Sequence, residues 1–171
     1  MTDHDAEARY RANLQGEVDS AALYRTLAQT EKTPQLAQVY RRLAAIEEAH
    51  AEYWKSHIEA IGRMVPKLRP GFRTRALAWL ARRFGPAVVL QTINTLEHMD
   101  SGTYDTQPEA VAGGLPTAER SHARIIRALA TGAPGSSADR LWHAWRVGTA
   151  AWAATRCALP CSAPMTGSAP I

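Results

Sequence analysis

A chain of 171 residues with 46% apolar composition is enough for one domain with one core plus a tail, and nothing in it suggests a second domain. Its formal charge of +4 rests on arginines spread among glutamates along helical stretches, as solvated faces are, with no recognition-helix or base-stacking pattern, which excludes a nucleic-acid partner. Two cysteines, Cys157 and Cys161, are too few for a disulfide framework or a four-cysteine metal site; no apolar run approaches ~20 residues, so no membrane span is expected, and residues 1–8 lack the basic-then-apolar order of a secretion signal.

Residues 6–30 set Leu14, Val18, Ala21, Ala22, Leu23 and Leu27 at helical spacing and predict a first long helix. Glu17 falls among these apolar positions. A carboxylate on a buried face needs a partner, so Glu17 either holds a metal or pairs with Arg25 or Arg41, unless it reaches solvent. Thr33-Pro34 reads as an N-cap followed by proline at the first helical position, opening a second helix over 34–61 that stops at Gly62. Its inner face is Leu36, Val39, Tyr40, Leu43, Ile46, His50, Tyr53 and Trp54, which puts Glu47 and His50 on the core side and Glu48 and Glu52 nearer solvent. Residues 63–71 carry two prolines and form a connection. A short amphipathic helix over 72–84 follows, with Leu77, Trp79 and Leu80 apolar and four arginines outside. Packing or dimerisation is its preferred role, and its arginine-plus-tryptophan pattern also fits a membrane surface.

Gly85-Pro86 opens the third long helix, from 86 to about 104, where Val89, Ile93, Leu96 and Asp100 share a face with Glu97 and His98 points to solvent. Asp100 is a further metal ligand or an acceptor for a ligating histidine. A loop over 107–115 leads to the fourth helix, 116–132, which carries Glu119, His122, Ile125, Ile126 and Leu129. The domain is thus expected to occupy residues 1–132. Residues 133–171, rich in Ala, Pro, Gly and Ser, read as a low-complexity disordered tail with a short helical turn around 140–153.

The chemistry concentrates in two E-x-x-H pairs, Glu47 with His50 and Glu119 with His122. Residues three apart on a helix project from one face and can grip one ion. With Glu17 and Glu97 the order along the chain is Glu, Glu-x-x-His, Glu, Glu-x-x-His, the ligand order of ferritin-like di-metal bundles. The expected fold is therefore all-α: a ferritin-like four-helix bundle with an extra short helix between its second and third helices. Hard carboxylate oxygens with borderline imidazole nitrogens suit iron, with manganese as an alternative occupant.

Residues 13–24 around Gly16-Glu17-Val18-Asp19, residues 40–52 around Ile46-Glu47-Glu48-Ala49-His50, and Gln107-Pro108-Glu109-Ala110 ahead of Glu119-Arg120-Ser121-His122 resemble the rubrerythrin-type ferritin-like domain that precedes the membrane domains of the vacuolar-iron-transporter family. The similarity covers roughly residues 8–131. It implies that Glu17, Glu47, His50, Glu97, Glu119 and His122 are di-iron ligands and that Asp100 stands where rubrerythrins carry an additional carboxylate. It further implies Fe(II) binding and oxidation by dioxygen or peroxide, as a ferroxidase or rubrerythrin-like peroxidase, in the cytoplasm and linked to iron transport. Tyr24 or Tyr53 would relay electrons or protons. Three features depart from the family: Asp100 has a shorter reach than the additional carboxylate it stands for, there is no rubredoxin-like four-cysteine centre, and there is no transporter half. Back-translated in another frame from the third base of the Trp152 codon, residues 152–168 permit a string resembling the entry to the first transporter helix, so the tail reads as an out-of-frame remnant after a shift around residues 133–145.

Two other functions use the same residues: an iron-sensing or regulatory module that holds metal without turnover, and a metal-free bundle with salt-bridged carboxylates. The connection spanning residues 62–85 is long enough for helices three and four to pair with another chain, and a homodimer is expected, with or without exchange of those helices.

Overall fold

The computed structural model describes the backbone of residues 3–100 and 102–131, and the side chains among them other than those of Asp3 and residues 97–100. The tail expectations, Cys157 and Cys161 included, and the side chains of Glu97, His98 and Asp100 lie outside the described residues. Among those described there are six helices and no strand: α1 (Asp3–Thr30), α2 (Pro34–Ala60), α3 (Phe72–Phe84), α4 (Ala87–Asp100), α5 (Pro108–Ala112) and α6 (Leu115–Thr131).

α1 and α2 form a hairpin around residues 31–33. Thr33 is extended (φ −83°, ψ 112°) and Pro34 follows at the first helical position, where a missing N–H leaves no hydrogen bond unmade. α2 closes where expected: Ile61 caps it, and Gly62 turns the chain out at φ +71°, a left-handed conformation open to glycine. The buried stripe of α2 runs through Ala37, Tyr40, Ala44, Glu47, Ala51, Trp54 and Ile58, flanked by Leu43 and His50. The end of the 63–71 connection is tied to α1, where the Gly71 amide donates to Asp19 Oδ1 at 2.7 Å and Gln15 Nε2 donates to the Arg69 carbonyl at 3.1 Å. α3 covers the predicted residues and seats Thr74, Ala78 and Ala81 in the interior.

Two elements differ from expectation. α4 ends at Asp100 rather than near residue 104, and residues 102–106 form a turn. Side-chain bonds back to α1 reward that early stop: Tyr104 Oη donates to Glu17 Oε1, and Gln107 Oε1 accepts from Asn13 Nδ2 at 2.7 Å. The stretch read as a loop contains α5, with Pro108 at its first turn and Glu109 held by Arg9 (2.9 Å) and Tyr10 (2.7 Å). Gly113 closes α5 against Tyr53. A Cβ there would lie 2.7 Å from Tyr53 Cζ, so only a residue without one fits this approach.

The core is two apolar clusters. One joins Leu23, Tyr24 and Leu27 of α1 with Tyr40 and Leu43 of α2, Ala81 of α3, Val89 and Ile93 of α4, and Ile125 and Ile126 of α6. The other joins Tyr10 and Leu14 of α1 with Trp54 and Ile58 of α2, Tyr104, Ala110 of α5 and Leu115 of α6. α1 and α6 run from the second cluster to the first, and α2 runs the opposite way. Between the clusters, on three helices, lies a layer of buried polar residues: Glu17, Glu47, His50, Glu119 and His122. The layer is completed within one chain, so no exchange of helices is needed to assemble it.

Leu43 is fully buried in the first cluster, whereas Val111 is 54% exposed. Leu43→Ala is expected to lower unfolding stability by about 2–5 kcal/mol, and Val111→Ala by less than about 0.5 kcal/mol. Urea midpoints at unchanged slope measure both.

Candidate metal centre

The register of three helices sets the site. Glu17 sits on α1 between Leu14 and Ala21, Glu47 and His50 sit one turn apart on α2, and Glu119 and His122 one turn apart on α6; all are nine-tenths or more buried. One ligand atom each from Glu17, Glu47, His50 and Glu119 gathers within 4.8 Å of the others. His50 Nδ1 lies 3.3 Å from Glu119 Oε1, 3.5 Å from Glu47 Oε2 and 3.6 Å from Glu17 Oε2. His122 Nδ1 lies 2.9 Å from Glu47 Oε1 and 3.9 Å from Glu119 Oε2. Glu47 and Glu119 thus each aim one oxygen at one imidazole and the other oxygen at the second. The two rings face each other with centroids 6.0 Å apart.

Among the described ion pairs, arginine and lysine serve surface or half-buried carboxylates: Arg25 takes Glu48, Arg9 takes Glu109, Lys55 takes Glu52, Arg120 takes Asp105, and Arg11 and Arg63 share Glu7. Arg41 donates to Gln38. The alternative in which Glu17 pairs with Arg25 or Arg41 is therefore replaced by pairing with His50. Glu17 is further fixed by Tyr104 Oη at 2.5 Å and by Trp54 Nε1 at 3.3 Å, both donating to Oε1, which leaves Oε2 for the interior of the site.

Three carboxylates so close together cannot all ionise in a dry interior. Burial, with the charge of Glu17 beside it, pushes the Glu47 carboxyl up to about 8. Burial and the charge of Glu47 likewise raise Glu119. Burial would raise Glu17 too, but hydrogen bonds from His50, Glu47 and Tyr104 and the charge of His50 outweigh it, so this carboxyl lies below its usual range. Burial acts to lower His50, yet its contacts with Glu119, Glu17 and Glu47 dominate and hold its pKa well above that of an ordinary imidazole. Burial and then the Glu17 charge raise the Tyr104 hydroxyl, which keeps its proton and stays a donor.

The donor set fits a cation. Glu119 Oε1, and Glu47 Oε1 despite its closeness to His122, are buried and accept no well-formed hydrogen bond, a costly state that a metal ion relieves. A cavity of about 120 Å³ reaches Glu17, Glu47 and Glu119 past Ala12, Gly16 and Ser20, small residues one turn apart on α1. That volume admits ions, water and diatomic molecules, whereas pockets for organic ligands typically span ~300–1,000 Å³.

Of the seven residues predicted as ligands, Glu17, Glu47, His50, Glu119 and His122 come together. Glu97 lies on α4 one turn beyond Ile93, and Asp100 ends the same helix; their side chains fall outside the described residues. Sequence reasoning missed Tyr104 and Trp54 as partners of Glu17. Trp54 carried a signal, since it lies seven residues past Glu47 on the same helical face. Tyr104 carried none, lying in a turn without periodicity. Compared with protein-family models, curated proteins and solved structures, the chain matches none.

A cation entering this site displaces the protons held by His50 and Glu47. Because both groups titrate above their usual values, apparent affinity for Mn(II) rises with pH through about 8, where Glu47 is half ionised, levels off only once both groups have lost their protons, and falls away on the acid side. Calorimetry in buffers of different ionisation enthalpy reads the protons released; affinity independent of pH contradicts the coupling.

Proposed function

We propose that this is a ferritin-like di-iron carboxylate protein of the rubrerythrin type, similar to the domain that accompanies vacuolar-iron-transporter-family membrane domains. In this reading it binds Fe(II) and oxidises it with dioxygen or peroxide as part of cytoplasmic iron handling. The observation that carries the reading is the paired reach of Glu47 and Glu119, each spanning from His50 to His122. Two carboxylates that each face two imidazoles are the arrangement expected for bridging a pair of cations.

In this reading Glu17, Glu47, His50, Glu119 and His122 would hold the metal, with Glu97 and Asp100 of α4 as its further carboxylates. Iron held there would supply one electron per Fe(II), and two such electrons with two protons would balance the reduction of dioxygen to hydrogen peroxide or of hydrogen peroxide to water. The carboxylates balance the added charge of Fe(III). Tyr104 and Trp54 keep Glu17 oriented, and Tyr104 rather than Tyr24 or Tyr53 is the tyrosine we place beside the ligands. The sulfur-free set of oxygen and nitrogen donors favours iron or manganese over thiophilic metals, and the size of the cavity favours a small oxidant over an organic substrate.

Elemental analysis of protein purified without chelator should find about two iron or manganese ions per chain. Aerobic Fe(II) should be oxidised, followed by near-ultraviolet absorbance, with repeated turnover when peroxide and an electron donor are supplied. Glu47→Ala combined with Glu119→Ala should abolish stoichiometric metal, and Tyr104→Phe should weaken it by about 10–100-fold. A double variant that loads and oxidises iron like the parent refutes the assignment. Stoichiometric metal without turnover selects a sensing role.

The reading includes assembly as a homodimer. Light scattering should give twice the 18.7 kDa chain mass; a monomeric mass counts against it.

A further inference from the structure

Charge is divided sharply along this chain. Residues 60–96 contain no Asp or Glu and seven cationic residues: Arg63, Lys67, Arg69, Arg73, Arg75, Arg82 and Arg83. Since the whole chain carries +4, the remainder carries +4 − 7 = −3. The same segment holds exposed apolar mass. Of six large apolar side chains that stand exposed among the described residues, five are Met64 (87%), Phe72 (82%), Trp79 (59%), Phe84 (56%) and Val88 (54%).

These features meet on α3. Its inner face, Thr74, Ala78 and Ala81, is buried, with Leu77 and Leu80 packed on the first apolar cluster. Phe72, Ala76, Trp79 and Arg83, spaced four, three and four residues apart, form a second stripe on the opposite side of the helix. Arg75 and Arg82 flank that stripe on one side and Arg73 on the other. Arg83 stacks over the Phe84 ring at 5.1 Å, and Phe84 meets Trp79 edge to face at 6.2 Å. A cleft of about 430 Å³ between α1 and α3 is lined by Phe72 and Trp79 together with Arg75 and Arg82.

A helix already packed on its inner face has no structural need for a phenylalanine and a tryptophan on its outer one. Exposed aromatic rings ringed by guanidinium groups call for a surface that is apolar at depth and anionic at its boundary. A second copy of this chain supplies the apolar part but sets seven cations against seven. A soluble polyanion supplies the charge but leaves Met64, Phe72 and Val88 in water. A bilayer containing anionic lipid answers both. We propose that α3 and its flanks are a peripheral docking face for anionic membranes, with α3 lying in the interfacial plane, Phe72 and Trp79 among the headgroups, and Arg73, Arg75, Arg82 and Arg83 on the phosphates. The proposal does not rest on the metal reading.

Cosedimentation of the full chain tests it, using vesicles of phosphatidylcholine alone and vesicles that also contain phosphatidylglycerol. Binding is expected to the anionic vesicles, at least tenfold tighter than to the neutral ones, and to weaken with salt. Arg75→Ser with Arg83→Ser should reduce it roughly 30-fold, and Trp79→Ala by about tenfold. Brominated lipid should quench tryptophan emission in the parent more than in Trp79→Ala, a difference that separates Trp79 from Trp142, Trp145 and Trp152 of the tail. Phe72→Ser, at an exposed position, repeats the apolar test should Trp79→Ala lose its helical circular dichroism. Metal content should be unchanged in every variant. Equal binding to both vesicle types, or none, overturns the proposal. So does binding that survives both aromatic substitutions and is matched by heparin, which would mark the face as a polyanion site.

Discussion

Three glutamates and two histidines occupy one buried layer, and the rest of the molecule is arranged so that this layer can exist. Carboxylates in a water-free interior are costly unless each oxygen meets a proton or a cation. Here geometry offsets part of that cost, with His50 Nδ1 within 3.6 Å of Glu17, Glu47 and Glu119, and leaves Glu47 Oε1 and Glu119 Oε1 without a well-formed hydrogen bond. Apolar clusters above and below hold the three helices in register: Leu14 and Ala21 bracket Glu17 on α1, Ala44 and Ala51 bracket the Glu47–His50 turn on α2, and Leu115 and Ile125 bracket Glu119 and His122 on α6. A slip of one residue on any of them would rotate a carboxylate by about 100° out of the layer.

Support for the layer comes from a part of the chain with little regular structure. The turn after α4 sends Tyr104 to Glu17 and Gln107 to Asn13, and α5 is pinned through Glu109 to Arg9 and Tyr10, while Tyr53 Oη donates to the Glu109 carbonyl at 2.6 Å. These bonds close the second-cluster end of the molecule over α1. The cavity that reaches the carboxylates runs between Ala12, Gly16 and Ser20 of α1 and Thr103 and Tyr104 of the turn, so the segment that orients Glu17 also lines the approach to it.

Much of this was legible in the sequence because it is periodic or punctuated. Thr33-Pro34 and Gly62 bound α2, Gly71 and Gly85 bound α3, and Glu-x-x-His spacing places two ligands on one face whatever the tertiary context. Glu17 stood out as a charge within an apolar stripe. What the sequence did not show depends on contacts between distant segments. α4 stops at Asp100 because Tyr104 and Gln107 find partners about 90 residues earlier in the chain, a preference with no local signature. α5 hides in a stretch whose Pro108 and Gly113-Gly114 read equally well as loop. The pairing of Arg25 was undecidable by spacing, since both Glu17 and Glu48 lie within reach of a long side chain, and burial chose Glu48, which keeps the guanidinium in water.

That choice has a chemical consequence. Arginine cannot surrender its proton near neutral pH, so a guanidinium seated on Glu17 would neutralise the layer permanently and close it to metal. A histidine neutralises the same carboxylates reversibly. His50, its pKa held well above an ordinary imidazole's by the carboxylates around it, can exchange its proton for a metal as a nitrogen ligand, and Glu47, pushed up to about 8, can do the same as an oxygen ligand. By spending its arginines on surface carboxylates and on α3, the chain confines the buried layer to groups whose charge is exchangeable, and an interior stable with protons can then become one that holds cations.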